Sequence, residues 1–139
     1  MCQQKERMMA YMLETYGSEP ERLWAKYPDD IVFRHPASRK WYAIIMGIAW
    51  DKLGIPKDTA VDVLDVKCSP LMIGSLLDEE GFFPAYHMNK NNWITIVLND
   101  SVPDEKIYSL LELSYHSVSP KRKNPSRKPR KNAGVNRDV

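Results

Sequence analysis

The chain is poor in the residues from which catalytic and metal centres are built. Its 139 residues include two cysteines, Cys2 and Cys68, and three histidines, His35, His87 and His116, all far apart. Two scattered cysteines make neither a zinc motif nor a disulfide framework. No histidine pair has ligand spacing, so no metal and no cofactor is expected. A glycine-rich phosphate loop and a nucleophile elbow are both lacking, and the expectation is a protein that is not an enzyme. No apolar run approaches the roughly 18–20 residues that span a bilayer, so no membrane partner is expected. The opening Met1–Arg7 has no apolar signal-peptide core, which points to a cytoplasmic chain.

The hydrophobic share, 43%, with four tryptophans, suits one globular core. The net charge of +2 hides an asymmetry. Residues 120–139 hold eight basic residues (Lys121, Arg122, Lys123, Arg127, Lys128, Arg130, Lys131, Arg137) and one acid, a net +7. Residues 1–119 hold twelve basic and seventeen acidic residues, a net −5. The basic stretch also contains Pro120, Pro125 and Pro129 and almost no apolar residue. Burial cannot offset the entropy of ordering such a segment. The division is therefore a domain over 1–119 and a disordered basic tail over 120–139.

Within the domain, Met9, Met12, Leu13 and Tyr16 recur at helical spacing and predict a helix over 5–16, stopped by Gly17. Residues 18–30 read as a loop with one short helical turn at Glu21–Lys26. Ile31–Arg34 and Trp41–Trp50 are strands about a turn at His35–Lys40. The second is apolar on both faces, with Trp41, Ala43 and Ile45 set against Tyr42, Ile44 and Met46, which suits a central strand. Gly47 marks a bulge. Asp51–Thr59 is a turn or extended wing before the strand Ala60–Lys67. Ser69 caps a helix that begins at Pro70, with Ile73, Leu76 and Leu77 buried and Gly81 as its stop. Phe82–His87 and Trp93–Leu98 form a hairpin. A last helix starts near Pro103, with Asp104 and Glu105 favourable in its first turn. It buries Ile107, Leu110, Leu111, Tyr115 and Val118, with Ser114 on the same face. The order α-β-β-β-α-β-β-α predicts an α+β fold, an antiparallel sheet with helices gathered on one side.

Pro84-Ala85-Tyr86-His87-Met88-Asn89-Lys90 followed by Trp93 is more than a hairpin turn requires. Together with Phe33-Arg34, Lys40-Trp41-Tyr42-Ala43, Val66-Lys67-Cys68-Ser69-Pro70, Val102-Pro103-Asp104-Glu105 and Leu113-Ser114-Tyr115, it resembles the MmcQ/YjbR family of small bacterial proteins. The likeness covers roughly residues 5–119. It implies a CyaY/frataxin-like, double-wing α+β fold and DNA binding. The basic stretch after Ser119 is not part of that pattern.

Two functions follow. In the first, the protein is a non-enzymatic DNA- or other nucleic-acid-binding protein. Lys40, Lys67, Tyr86, His87, Asn89, Lys90 and Trp93 make a local contact surface. Lys121, Arg122, Lys123, Arg127, Lys128, Arg130 and Lys131 neutralise phosphates. In the alternative, the Tyr86–Trp93 patch serves a small ligand or a protein partner, and a concave pocket about Tyr86 and Lys90 is the mark to look for. Strand alternation adds a constraint: Tyr86 and His87 point to opposite faces unless the chain bends between them.

Overall fold

The computed structural model describes residues 3–120. Helix α1, Gln4–Tyr16, is anchored at its start by Gln4. This buried amide donates to the Val102 carbonyl (2.8 Å) and to Asp104 (2.9 Å), and accepts from the Asp100 N–H (2.9 Å). Each of its polar groups is thereby satisfied in the interior. Arg7 adds an ion pair to Asp104 at 2.8 Å and a contact to Asp100. Gly17 ends the helix at φ +67°. The buried ridge of α1 is Gln4, Met8 and Met12, every fourth residue. The expected stripe is thus corrected: Met8 joins Met12 in the core, while Leu13 is exposed.

Strands β1 (Ile31–Arg34), β2 (Trp41–Ala49), β3 (Ala60–Lys67), β4 (Phe82–Pro84) and β5 (Trp93–Val97) form one antiparallel sheet in the order β1-β2-β3-β5-β4. Helix α2, Pro70–Leu76, follows β3, and α3, Asp104–Ser117, closes the described chain. Ser69 caps α2, accepting from the Met72 N–H. Leu77, expected in the core, lies past the end of α2 and is 38% exposed. The expected helical turn at Glu21–Lys26 is absent; Glu21 instead bridges to Val32 on the sheet edge. The connection after β2 is a 3-10 turn, Trp50–Leu53, rather than an extended wing.

All three helices pack on one face of the sheet. Met8, Met12, Ile73, Leu76, Ile107 and Leu111 meet Phe33, Ile45, Leu64, Val66, Ile94 and Ile96 there. Ser114 ties α3 to two strands at once, donating to the Tyr42 carbonyl (2.6 Å) and accepting from the Lys67 N–H (2.9 Å).

The bulge lies at Tyr42, not at Gly47. Phe33 pairs with Ala43 but Arg34 with Trp41, so Tyr42 is the extra residue. Gly47 keeps regular pairing, with Asp62. One extra residue reverses the facing of everything beyond it. Tyr42 therefore joins Ala43 and Ile45 under the helices, and its hydroxyl donates to Ser18 at 2.7 Å. Trp41 turns to the opposite face, beside Ile44 and Met46.

Candidate functional site on the open face of the sheet

The face away from the helices carries Val32, Ile44, Met46, Val61, Val63 and Val97, with Trp41, Trp50, Phe83, Tyr86 and Met88 packed on them. No helix covers it. Residues 22–30, residues 85–92 and the 3-10 turn surround it instead, and they enclose a cavity of about 710 Å³. This lies in the range of small-molecule sites, about 300–1,000 Å³.

Each wall has a local cause. Two consecutive turns, closed by Tyr27 N–H to the Trp24 carbonyl and Asp30 N–H to the Tyr27 carbonyl (both 3.1 Å), place Trp24, Tyr27 and Asp30 three residues apart along one rim. The β2 bulge delivers Trp41, which meets Trp24 edge to face at 5.9 Å. Arg34 lies over the Trp41 ring at 5.8 Å. Ile44, Met46 and Ile48 form the floor, and Lys52 reaches the rim from the 3-10 turn.

The opposite rim is Tyr86, His87 and Met88. Strand β4 ends at Pro84 rather than at His87, and His87 has φ +68°, a left-handed conformation uncommon outside glycine. The chain bends there, as the alternation argument required if both rings were to serve one pocket. The Tyr86 and His87 rings lie 4.0 Å apart and both line the cavity. Across the mouth, desolvation raises the pKa of the Asp30 carboxyl, and the nearby His87 pulls it back down.

Beside the cavity lies an acid that the sheet buries. Val32, Ile44, Asp65, Thr95 and Phe83 form one row across all five strands. Asp65 is fully buried. Its Oδ1 accepts from Thr95 at 2.6 Å, the Thr95 hydroxyl accepts the Tyr86 N–H at 2.9 Å, and Oδ2 has no hydrogen-bond partner among the described residues. Burial pushes the carboxyl up to about 7, with the Thr95 hydrogen bond and the charge of Lys90 opposing. Asp65 fastens the rim loop to the sheet but does not itself line the cavity.

Of the residues singled out in the sequence, the cavity gathers Tyr86 and His87. Lys40 is exposed in the β1–β2 turn next to Trp41. Lys67 and Trp93 pair across β3 and β5, Trp93 buried and Lys67 half-buried. Asn89 shapes its own turn, accepting from Asn91 through its side chain and from Asn92 through its carbonyl. Lys90 is exposed on the same loop. Lys121, Arg122, Lys123, Arg127, Lys128, Arg130 and Lys131 lie outside the described residues, as does all of the proposed tail after Pro120. Sequence reasoning missed Trp24, Tyr27, Asp30, Trp41, Lys52 and Met88. The available signal was two large aromatics, Trp24 and Tyr27, in a proline- and aspartate-rich loop that needs neither. No group of histidine, cysteine and acidic residues among those described could hold a metal ion. Nor is any described helix long and apolar enough to cross a membrane.

These features define a class: an α+β domain with three helices on one face of an open five-stranded antiparallel sheet and a ligand-sized aromatic cavity on the other. The family model described as YjbR matches residues 13–117, and the chain belongs to that family. It is 38% identical over 112 residues to the uncharacterized protein YyaQ of Bacillus subtilis, covering 81% of this chain and 95% of that one. A crystal structure of a Pseudomonas syringae protein is 42% identical, covers 83% of this chain and 98% of its own, and superposes with a TM-score of 0.81. The Deinococcus radiodurans protein DR2400 shares the fold at a TM-score of 0.65 and 23% identity, over 89% of this chain and 84% of its own.

Proposed function

We propose that the folded domain is a non-catalytic binding module whose ligand enters the cavity between the 22–30 and 85–92 loops. One observation carries this reading: four aromatic side chains, Trp24, Tyr27, Trp41 and Tyr86, come from three separate segments to line one concave space. A sheet face that served only stability would be closed by packing. The acidic balance of residues 1–119 opposes wrapping a polyanion about this domain.

A second reading, nucleic-acid binding, is supported by the net +7 of residues 120–139. In it, Lys121, Arg122, Lys123, Arg127, Lys128, Arg130 and Lys131 take phosphates, with the patch from Lys40 to Trp93 secondary. One experiment separates the two. Binding of single- and double-stranded DNA is followed across a salt series for the full chain, for Trp41→Leu, and for a variant with those seven cations changed to glutamine. A polyelectrolyte contact weakens by a log–log slope of about −0.9 per phosphate neutralised. The nucleic-acid reading expects DNA binding at about 0.15 M salt that the loss of the seven cations abolishes and Trp41→Leu leaves unchanged, whereas the binding-module reading expects no DNA binding by any of the three proteins at that salt. DNA affinity that survives their removal and falls with Trp41→Leu would make the cavity face a nucleic-acid surface instead.

A further inference from the structure

We infer that the cavity takes a nucleoside monophosphate, its base among the aromatic rings with a donor edge on Asp30 and its single phosphate on Lys52. The inference rests on the binding-module reading and names the ligand class for that site.

The polar groups of the cavity select this chemistry. The walls are rings and thioethers, which favour a flat, polarisable group. Trp24 and Trp41 stand at 85° to one another, so a planar ligand that stacks on one ring turns its own edge to the face of the other. One carboxylate, Asp30, lines this apolar space, with His87 nearby. The Asp30 side chain makes no salt bridge among the described residues, and desolvation raises its pKa although the nearby His87 opposes this. A carboxylate in such a place is best relieved by N–H donors, and the exocyclic amino and ring N–H groups of a base supply them. Lys52, also on the rim, makes no salt bridge among the described residues. It offers three donors and a full positive charge to an anion. The ligand therefore carries a flat ring, a donor edge and one anionic group.

The count of charges argues for a mononucleotide over a polynucleotide. Among the described residues a single lysine lines the cavity, and the domain around it has an excess of acids. One phosphate can be paired there, whereas a run of phosphates would meet repulsion.

The test uses the full-length protein and nuclear magnetic resonance. Indole N–H signals of Trp24 and Trp41 are followed on titration with the four ribonucleoside 5′-monophosphates, with the matching nucleosides, with inorganic phosphate, and with indole as a plain flat probe. At least one nucleotide is expected to shift both indole signals saturably. Lys52→Ala should weaken that nucleotide at least tenfold, to the level of its nucleoside, and leave the nucleoside unchanged. Asp30→Asn should weaken both. The inference is overturned if no nucleotide shifts the indoles while free indole does, in which case the binding module stands with another ligand. Nucleotide binding indifferent to Lys52→Ala and Asp30→Asn, or phosphate alone binding as tightly as the nucleotide, overturns it as well. If neither nucleotides nor indole move the two signals, the cavity reading itself falls.

Discussion

The two faces of the sheet are built from the same strands and finished in opposite ways. The helix face is closed by regular elements, and its apolar side chains interlock with α1, α2 and α3. Its polar groups, Gln4, Ser18 and Ser114, are each answered by a hydrogen bond. The open face is closed by loops. It retains a cavity, exposes part of Trp24 and Tyr27, and buries a carboxylate oxygen that has no partner among the described residues. Stability is concentrated on the first face, and the second accepts costs that a purely structural surface would not carry.

The sharpest way to break this contrast is to remove one large aromatic from each face. Phe33 is completely buried among the helix-face residues. Phe33→Ala should cost about 3–5 kcal/mol, the transfer term plus an unfilled cavity. That is a large fraction of the roughly 5–15 kcal/mol that holds a domain folded. Urea denaturation of wild type and variant reads this directly. A loss under about 1 kcal/mol would mean that the helix face is loosely packed and the contrast is wrong.

Asp65 gives the next largest effect, and its sign is opposite to that of an ordinary carboxylate. Its folded-state pKa is about 7 against an ordinary 3.8. Between those values the folded protein holds a proton that the unfolded chain has released. Its contribution to stability is thus fully present below about pH 4 and is lost as pH rises to about 7. At about 1.4 kcal/mol per pH unit, the loss reaches at most about 4 kcal/mol. Asp104, held low by its hydrogen bond and charge pairing with Arg7, works the other way and loses its contribution as pH falls. The informative quantity is therefore the difference between wild type and Asp65→Asn, which keeps the shape and cannot ionise. The asparagine variant should gain on wild type steadily from pH 4 to pH 7. A constant difference over that range would show that Asp65 is solvated and that the 85–92 loop does not seal it.

The same contrast explains what the sequence could reveal. The helix face follows period and alternation, so the element order, the α2 cap, the glycine stop of α1 and the place of Ser114 on the buried face of α3 were all readable. Errors on that side, such as Leu13 and Leu77, came from placing the stripe one residue off and running α2 on towards Gly81 when it ends at Leu76. The open face depends on exceptions to alternation. The extra residue at Tyr42 sends Trp41 across the sheet, and no glycine or proline announces it. The bend at His87 puts two neighbours into one cavity. Asp65 was legible as a strand residue; its burial was not, because it depends on a loop twenty residues further along. Tyr86 and His87 stood out because their types exceed what a hairpin needs. Trp24, Tyr27 and Asp30 are brought to the site by non-repetitive turns, which leave no period to read.

Trp24 supplies the smallest predicted effect and the finest test of the contrast. It is as large as any core residue, yet 37% exposed. Its ring touches Trp41 edge to face, a contact worth about 1 kcal/mol. No regular element depends on it: the loop it sits in is held to the sheet by the backbone pairing of Glu21 with Val32 and by the ion pair of Glu21 with Arg34. Trp24→Ala should therefore lower stability by no more than about 1 kcal/mol, against several for Phe33→Ala. Urea denaturation under the same conditions measures both. A Trp24 loss comparable to that of Phe33 would mean that the aromatic rim is a second core, and that the cavity is the seam between two structural halves rather than a place kept open for a ligand.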